Sequence, residues 1–163
     1  MKKLLFGFIF AFVSLALISG GVLAAPGASS PAFANPYDGK FFGFVYGDQS
    51  SKAPILLELK QDADVITGKV HVEEGLFVDG GVCGAVNVPA TVQSASGKIV
   101  SGQPNRLQTG LAFTVSDFQI KANLDGELSQ DGSKLTAKAK IDLPWLCGRD
   151  PILTAELTRL PEG

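Results

Sequence analysis

The stretch FQIKANLDGELSQDGSKLTAKAKI, residues 118–141, decides the fold. Phe118, Ile120, Ala122 and Leu124 alternate with Gln119, Lys121 and Asn123. After a break, Leu135, Ala137, Ala139 and Ile141 alternate with Thr136, Lys138 and Lys140. Successive side chains of a strand point to opposite faces, so an apolar residue at every second place marks a half-buried strand. Between the two runs stands Gln130-Asp131-Gly132-Ser133. Asp-Gly flanked by alternating runs is the strongest short-range hairpin signal, because its residues accept the left-handed backbone that a tight hairpin turn needs. The stretch therefore reads as strand, turn, strand.

The same period extends outward in both directions. Ile55, Leu57 and Leu59 alternate with Leu56, Glu58 and Lys60; Ile66, Val70 and Val72 share a face opposite Thr67, Lys69 and His71. Leu153, Ala155 and Leu157 alternate with Thr154, Glu156 and Thr158. No stretch after residue 36 sustains a helical i, i+3, i+4, i+7 pattern beyond two turns. The polar run Lys60 to Asp64 joins two strands, and Asp79-Gly80-Gly81 and Ser96-Gly97 read as further reversals. Eight to ten short strands linked by consecutive hairpins predict an all-β domain, a single antiparallel meandering β-barrel, with a two-sheet β-sandwich as the alternative. Glycines echo inside the runs at Gly68, Gly97 and Gly126, where a sheet bends toward closure.

The N-terminus carries an address. Lys2 and Lys3 precede an uncharged run from Leu4 to Ile18, then Ser19-Gly20-Gly21 and Val22-Leu23-Ala24. This is the layout of a secretory signal, predicting a signal-peptide helix over 1–24, with cleavage alternatively after residue 34. An uncleaved anchor is the competing reading, since Leu4 to Ala25 is about long enough to span a bilayer core of ~30 Å. Residues 25–36, APGASSPAFANP, are a Pro/Ala/Ser linker without packing material, expected to be disordered. The folded domain is expected over 37–163, outside the cytoplasm in either case, periplasmic or secreted.

Cys83 and Cys147 are the only two cysteines. On an exported domain two thiols usually pair, and each of these precedes a glycine in turn-rich sequence. Closing a loop of about 65 residues contributes roughly 4 kcal/mol on the chain-entropy account. A metal site is the poorer reading: the spacing is wrong for zinc, and a single histidine is present.

Charge and missing motifs narrow the function. Without Lys2 and Lys3 the chain has 12 basic and 16 acidic residues, a poor match to phosphate backbones, so nucleic acid is not an expected partner. His71 lies on a polar strand face with no serine in a nucleophile-elbow context. Carboxylate pairs for hydrolysis reduce to Glu73 with Glu74, Asp62 with Asp64, and Asp117 with Asp125. No catalytic set, cofactor or metal is expected, and an unrecognised carboxylate hydrolase is the weakest of three readings.

Three places are candidates for ligand or partner contact. Phe42, Phe44 and Tyr46 share one face of the first strand, either filling a sandwich seam or lining a barrel cavity. In the glycine-rich run Glu73 to Ala85, Leu76 and Phe77 belong either to an apolar loop tip or to a short strand packing Leu76 and Val78 inward. Trp145, between Pro144 and Pro151, reads first as a core plug or a cover over the cysteine bridge, and otherwise as a platform for a ligand. Arg149 is placed to pair with Asp150 or to meet an anion. Together these favour an exported, non-catalytic binding module that holds an apolar ligand or docks on an envelope component. A role between proteins, as a hydrolase inhibitor or accessory subunit, is the alternative.

A resemblance joins these features. Gly39-Lys40-Phe41-Phe42-Gly43, Leu57-x-Leu59-x-Gln61, Val65-Ile66-Thr67-Gly68, Cys83, Gly126-x-Leu128-x-x-Asp131-Gly132-x-x-Leu135, Cys147-Gly148 and Leu157-Thr158-Arg159 follow one another in that order. The pattern resembles small secreted bacterial proteins and lipoproteins of calycin-like or lipocalin-like β-barrel shape, mostly of unassigned function. It departs from them in lacking a lipobox cysteine and in having Phe41 where a tryptophan is usual. The resemblance implies a barrel over about 39–160 and brings no site residues, since fold does not fix function.

Overall fold

A computed structural model describes residues 35–115 and 118–161, with side chains other than those of 113–120. The expected signal helix over 1–24 and the linker through residue 34 lie outside the described residues. Ten strands follow in order: β1 (Gly39–Tyr46), β2 (Lys52–Asp62), β3 (Val65–Val72), β4 (Leu76–Asp79), β5 (Ala85–Val88), β6 (Thr91–Val100), β7 (Gln103–Val115), β8 (Phe118–Leu128), β9 (Lys134–Asp142) and β10 (Ile152–Arg159). Eight of them close a barrel in the order β1-β10-β9-β8-β7-β6-β3-β2, antiparallel at each pairing; β4 and β5 form a separate hairpin inserted between β3 and β6. The meandering barrel is thus the fold, and the sandwich is excluded by the β1–β10 pairing that seals the sheet on itself.

Alternation decides the inside. Ile55, Leu57 and Leu59 of β2, Ile66 and Val70 of β3, Leu135, Ala137 and Ile141 of β9, and Leu153, Ala155 and Leu157 of β10 are all buried. The β8–β9 turn forms where Asp-Gly stands: Asp131 accepts hydrogen bonds from the Ser129 hydroxyl and from the amide and hydroxyl of Ser133. Those bonds, the one from Ser129 first, lower the Asp131 carboxyl to about 2.

The barrel bends where glycine lets strands approach. A Cβ on Gly68 would sit 2.1 Å from the Glu58 carbonyl oxygen across the β2–β3 pairing, and one on Gly97 2.3 Å from that of Gln108 across β6–β7. Here the structure corrects one expectation. Ser96-Gly97 is not a reversal but lies inside β6, and the chain turns at Ser101-Gly102 instead. A glycine within a strand and a glycine in a turn look alike in sequence; the close neighbour separates them.

One end of the barrel is plugged. Tyr37 and Phe41 are fully buried there beside the row Leu128, Leu135 and Leu157. Arg159, at the end of β10, stacks over the Phe41 ring at 4.4 Å and donates to the carbonyls of Pro36, Asp38 and Gly132. Gln61 is buried with both ends of its amide used: Oε1 accepts from the Tyr37 amide at 3.1 Å and Nε2 donates to the Ala63 carbonyl at 2.8 Å. The segment before β1 is thereby drawn across the opening as a floor.

The other end carries the β4–β5 hairpin as a cap. The hairpin leaves the barrel between β3 and β6, and the β9–β10 loop lies four strands away in either direction. The disulfide between Cys83 and Cys147 (Cα–Cα 4.9 Å) ties the hairpin tip to that loop, so the cap spans the mouth. Its near edge is held by the β1–β2 turn. The Ser51 hydroxyl accepts from the Phe77 amide at 2.9 Å and donates to the Phe77 carbonyl at 3.1 Å, while the Asp79 amide donates to Asp48 Oδ2 at 2.9 Å. Gly47 lets the two backbones meet, since a Cβ there would be 2.4 Å from the Phe77 carbonyl oxygen.

Candidate functional site

Between floor and cap the inward side chains leave an apolar cavity of about 90 Å³. Its roof is Leu76 of β4 and Val88 of β5, and one wall is Val70 and Val72 of β3. The facing wall is built from small residues: Ala122 of β8, Ala137 and Ala139 of β9, and Ala155 of β10. Register explains the space. Ala137 is paired with Gly126 on one side and Ala155 on the other, whereas one step toward the floor Leu135 is paired with Leu128 and Leu157. The cavity opens where leucines give way to alanines.

Three polar residues stand in the lining: Thr91 and Gln93 on the inner face of β6, and Thr154 of β10, an exposed residue between the buried Leu153 and Ala155. Gln93 Nε2 donates to Thr91 Oγ1 at 2.9 Å. Among the described residues no Lys, Arg, His, Asp or Glu lines this cavity. Two larger depressions of about 620 Å³ each run along the outside of the barrel, one over β6–β8 and one over β7–β10. They are open troughs between outward polar and charged side chains such as Lys98, Asp125, Lys138 and Glu156.

The sequence candidates fall on both sides of this geometry. Leu76 is buried and roofs the cavity, with Val78 packed beside it, so the short inward-packing strand is the correct alternative for that segment. Phe77, between them, points the other way and is half-buried over the β1–β2 turn. Phe42, Phe44 and Tyr46 share a face as expected, but it is the outer one. Phe42 and Tyr46 are exposed, Lys52 lies over the Phe44 ring at 4.9 Å, and Phe41 and Val45 point inward instead. Both faces of β1 are aromatic or aliphatic, so alternation alone does not tell inside from outside; pairing with Ala155 and Leu157 of β10 does.

Trp145 corrects a second expectation. It is 91% exposed, neither a core plug nor a cover for the bridge. Trp145, Leu146 and Cys147 form one tight turn in which only the cysteine faces inward, while Leu143 packs against the core in the tryptophan's stead. With Leu146 and Val82, both exposed, Trp145 rims the disulfide at the tip of the cap. Arg149 reaches away from Asp150 to bridge Asp48 at 2.8 Å and Asp79 at 3.2 Å, tying the β9–β10 loop to both the β1–β2 turn and the cap. Asp150 is held by Lys140 at 2.9 Å, whose hydrogen bond lowers its carboxyl.

The groups weighed for catalysis are scattered. His71 stands 3.3 Å from Glu58 on the outer face, where Lys40 lies 2.7 Å from the same carboxylate and, chiefly by its hydrogen bond, lowers that group's pKa. Glu73 and Glu74 are exposed before the cap, Asp62 and Asp64 flank the β2–β3 turn, and Asp125 is paired with Arg106. Asp117 lies outside the described residues. Among the described residues no three His, Cys, Asp or Glu side chains gather as a metal would require, and no helix is long and apolar enough to cross a membrane.

The cavity residues missed by sequence reasoning are the alanines and the Thr91/Gln93 pair. Alanine on an inward position is an ordinary strand residue, and only the closed barrel shows that four of them line one cavity.

Comparison with known proteins bears on the fold. No protein-family model matches the chain, and no curated protein matches it in sequence. Two solved structures superpose on it: a redesigned β-barrel, b11L5F_LGL, at TM-score 0.52 and 9% identity, covering 77% of this chain and 93% of that one; and EF1p2_mFAP2b bound to DFHBI, at TM-score 0.52 and 10% identity, covering 77% and 94%. At such identity the likeness is one of architecture alone, a closed β-barrel.

Proposed function

We propose that this protein is an exported, non-catalytic binding module that holds a compact apolar ligand, or the apolar end of a longer one, beneath the β4–β5 cap. The observation that carries the reading is the apolar cavity of about 90 Å³, kept open by Ala122, Ala137, Ala139 and Ala155 in a barrel whose other half is filled. Apolar cavities lined by aliphatic side chains stay dry and take up small hydrocarbons; one of about 150 Å³ accommodates benzene, so at about 90 Å³ this one admits benzene only as the β4–β5 cap yields. The cap, stapled by Cys83–Cys147 and clamped by Ser51, Asp48 and Arg149, supplies a roof that shields the ligand from water. The bound DFHBI of a similar barrel supports the same use of the architecture. The disulfide and the N-terminal address support export.

Ala137→Leu tests the reading. The added side chain projects into the cavity, so delipidated variant should lose the melting-temperature rise that benzene gives the wild type while remaining folded. Wild type that shows neither a rise nor amide shifts with saturating benzene would contradict it.

A second reading rests on the apolar rim of the cap. Trp145, Leu146 and Val82 stand exposed around the disulfide, and tryptophan is over-represented where binding energy concentrates. This surface suits a role between proteins, as a hydrolase inhibitor or accessory subunit. Partner capture from an extracytoplasmic fraction by wild type but not by Trp145→Ser would support it.

A further inference from the structure

Among the described residues two glutamines face the interior of this barrel, and they are used differently. Gln61, at the floor, has both ends of its amide engaged by backbone, which is how a buried polar side chain serves structure alone. Gln93, on the wall of the apolar cavity, is half-buried and makes one hydrogen bond, from Nε2 to Thr91 Oγ1. Among the described residues nothing donates to its Oε1. Thr91 Oγ1 accepts from Gln93, so its own hydrogen stays available to donate. The pair therefore offers an acceptor, a second amide N–H and a hydroxyl proton at one spot of an otherwise aliphatic lining.

Both residues are half-buried on the cavity wall, and Gln93 Oε1 and the Thr91 hydroxyl proton are placed to meet what enters it. A ligand bearing one hydrogen-bonding group at that spot makes a bond that a purely apolar one cannot. A charged group does not fit: among the described residues no ionisable side chain lines the cavity to compensate it, and a lone buried charge is strongly disfavoured.

We infer that the ligand is an uncharged molecule with a compact apolar body and a single hydroxyl, carbonyl or amide group, which Gln93 and Thr91 receive from β6. The inference rests on the cavity reading above and adds the chemical class. The hydrogen bonds set selectivity more than affinity, since a net bond gains little over water while an unmet one is expensive.

Benzene and phenol differ by one hydroxyl, and both are neutral at pH 7. Amide chemical-shift titration of delipidated protein measures the two dissociation constants in wild type, Gln93→Leu and Thr91→Val. Gln93→Leu keeps size and apolar contact, and should shift the phenol-to-benzene affinity ratio toward benzene by about 10-fold or more. Thr91→Val, nearly the same shape, should shift it in the same direction by a smaller factor, and keeps the test usable should Gln93→Leu fail to fold. Failure of both compounds to bind wild type overturns the cavity reading itself. Binding of both with a ratio unmoved by either variant leaves the cavity standing and overturns the assignment to Gln93 and Thr91.

Discussion

The two halves of this barrel share one sheet, one alternation and the same strands, yet they are packed in opposite ways. Along β9 the inner face runs Leu135, Ala137, Ala139, Ile141 from floor to cap, and β10 answers with Leu157, Ala155, Leu153. The floor half is built of large side chains around Tyr37 and Phe41, with Arg159 closing it from below. The cap half sets four alanines among its larger aliphatic side chains, is roofed by a hairpin instead of a plug, and keeps a void. Interiors are ordinarily filled to crystal-like density, so a void confined to one half identifies that half as the place where stability was not maximised. The floor holds the fold and the cap half is available for a ligand.

Breaking the floor should have the largest effect. Phe41→Ala removes a fully buried ring together with the surface on which Arg159 stacks. Denaturant unfolding should show a loss of about 3–5 kcal/mol, the usual range for a large aromatic truncated in a core. A loss under about 1 kcal/mol would put the two halves on an equal footing and undo the contrast.

Releasing the cap comes next. Replacing Cys83 and Cys147 by serine opens a 64-residue separation, with an expected cost of about 2–4 kcal/mol. Hydrogen exchange sharpens the comparison more than the total does. Amides of β4 and β5 should lose protection first, while those of β2, β9 and β10 near the floor keep theirs relative to global unfolding. Uniform loss across the barrel would mean that cap and floor are one cooperative unit.

The smallest effect concerns pH. The Tyr37 hydroxyl is buried with no hydrogen-bond partner among the described residues, and burial, aided by the nearby Glu127 charge, pushes its pKa up to about 12. The unfolded chain releases that proton near 10. The folded state thus holds the proton more tightly, so stability is intact below about pH 10 and falls as pH rises toward 12. Tyr37→Phe should flatten that alkaline decline and leave stability at pH 7 equal or slightly higher, because the hydroxyl it removes is unsatisfied. An alkaline limb that persists unchanged in the variant would assign the decline to other groups.

Much of the barrel is legible in the sequence because strand period is a local property. The runs around Leu57, Val70, Leu135 and Leu157 each declare a face, and Asp131-Gly132 declares a turn through its own backbone preference. Cys83 and Cys147 pair as their number and context imply. What resists reading is the orientation of elements with two apolar faces and the meeting of residues remote in sequence. Strand β1 carries Phe42, Phe44 and Tyr46 on one side and Phe41 and Val45 on the other, so only its pairing partners choose. Trp145 has core-like composition around it, but a three-residue turn faces one side chain inward, and here that is Cys147. The cavity itself is invisible in any single segment, since it consists of what Ala122, Ala137, Ala139 and Ala155 do not fill.

The most direct test of this account is a crystal of the mature domain pressurised with xenon, which enters dry apolar cavities and is located by its own scattering. The expected result is a xenon site under the cap bounded by Val70, Leu76, Ala137 and Ala155, absent from Ala137→Leu crystals. A pressurised wild-type crystal with side chains packed through that space and no xenon there would contradict it.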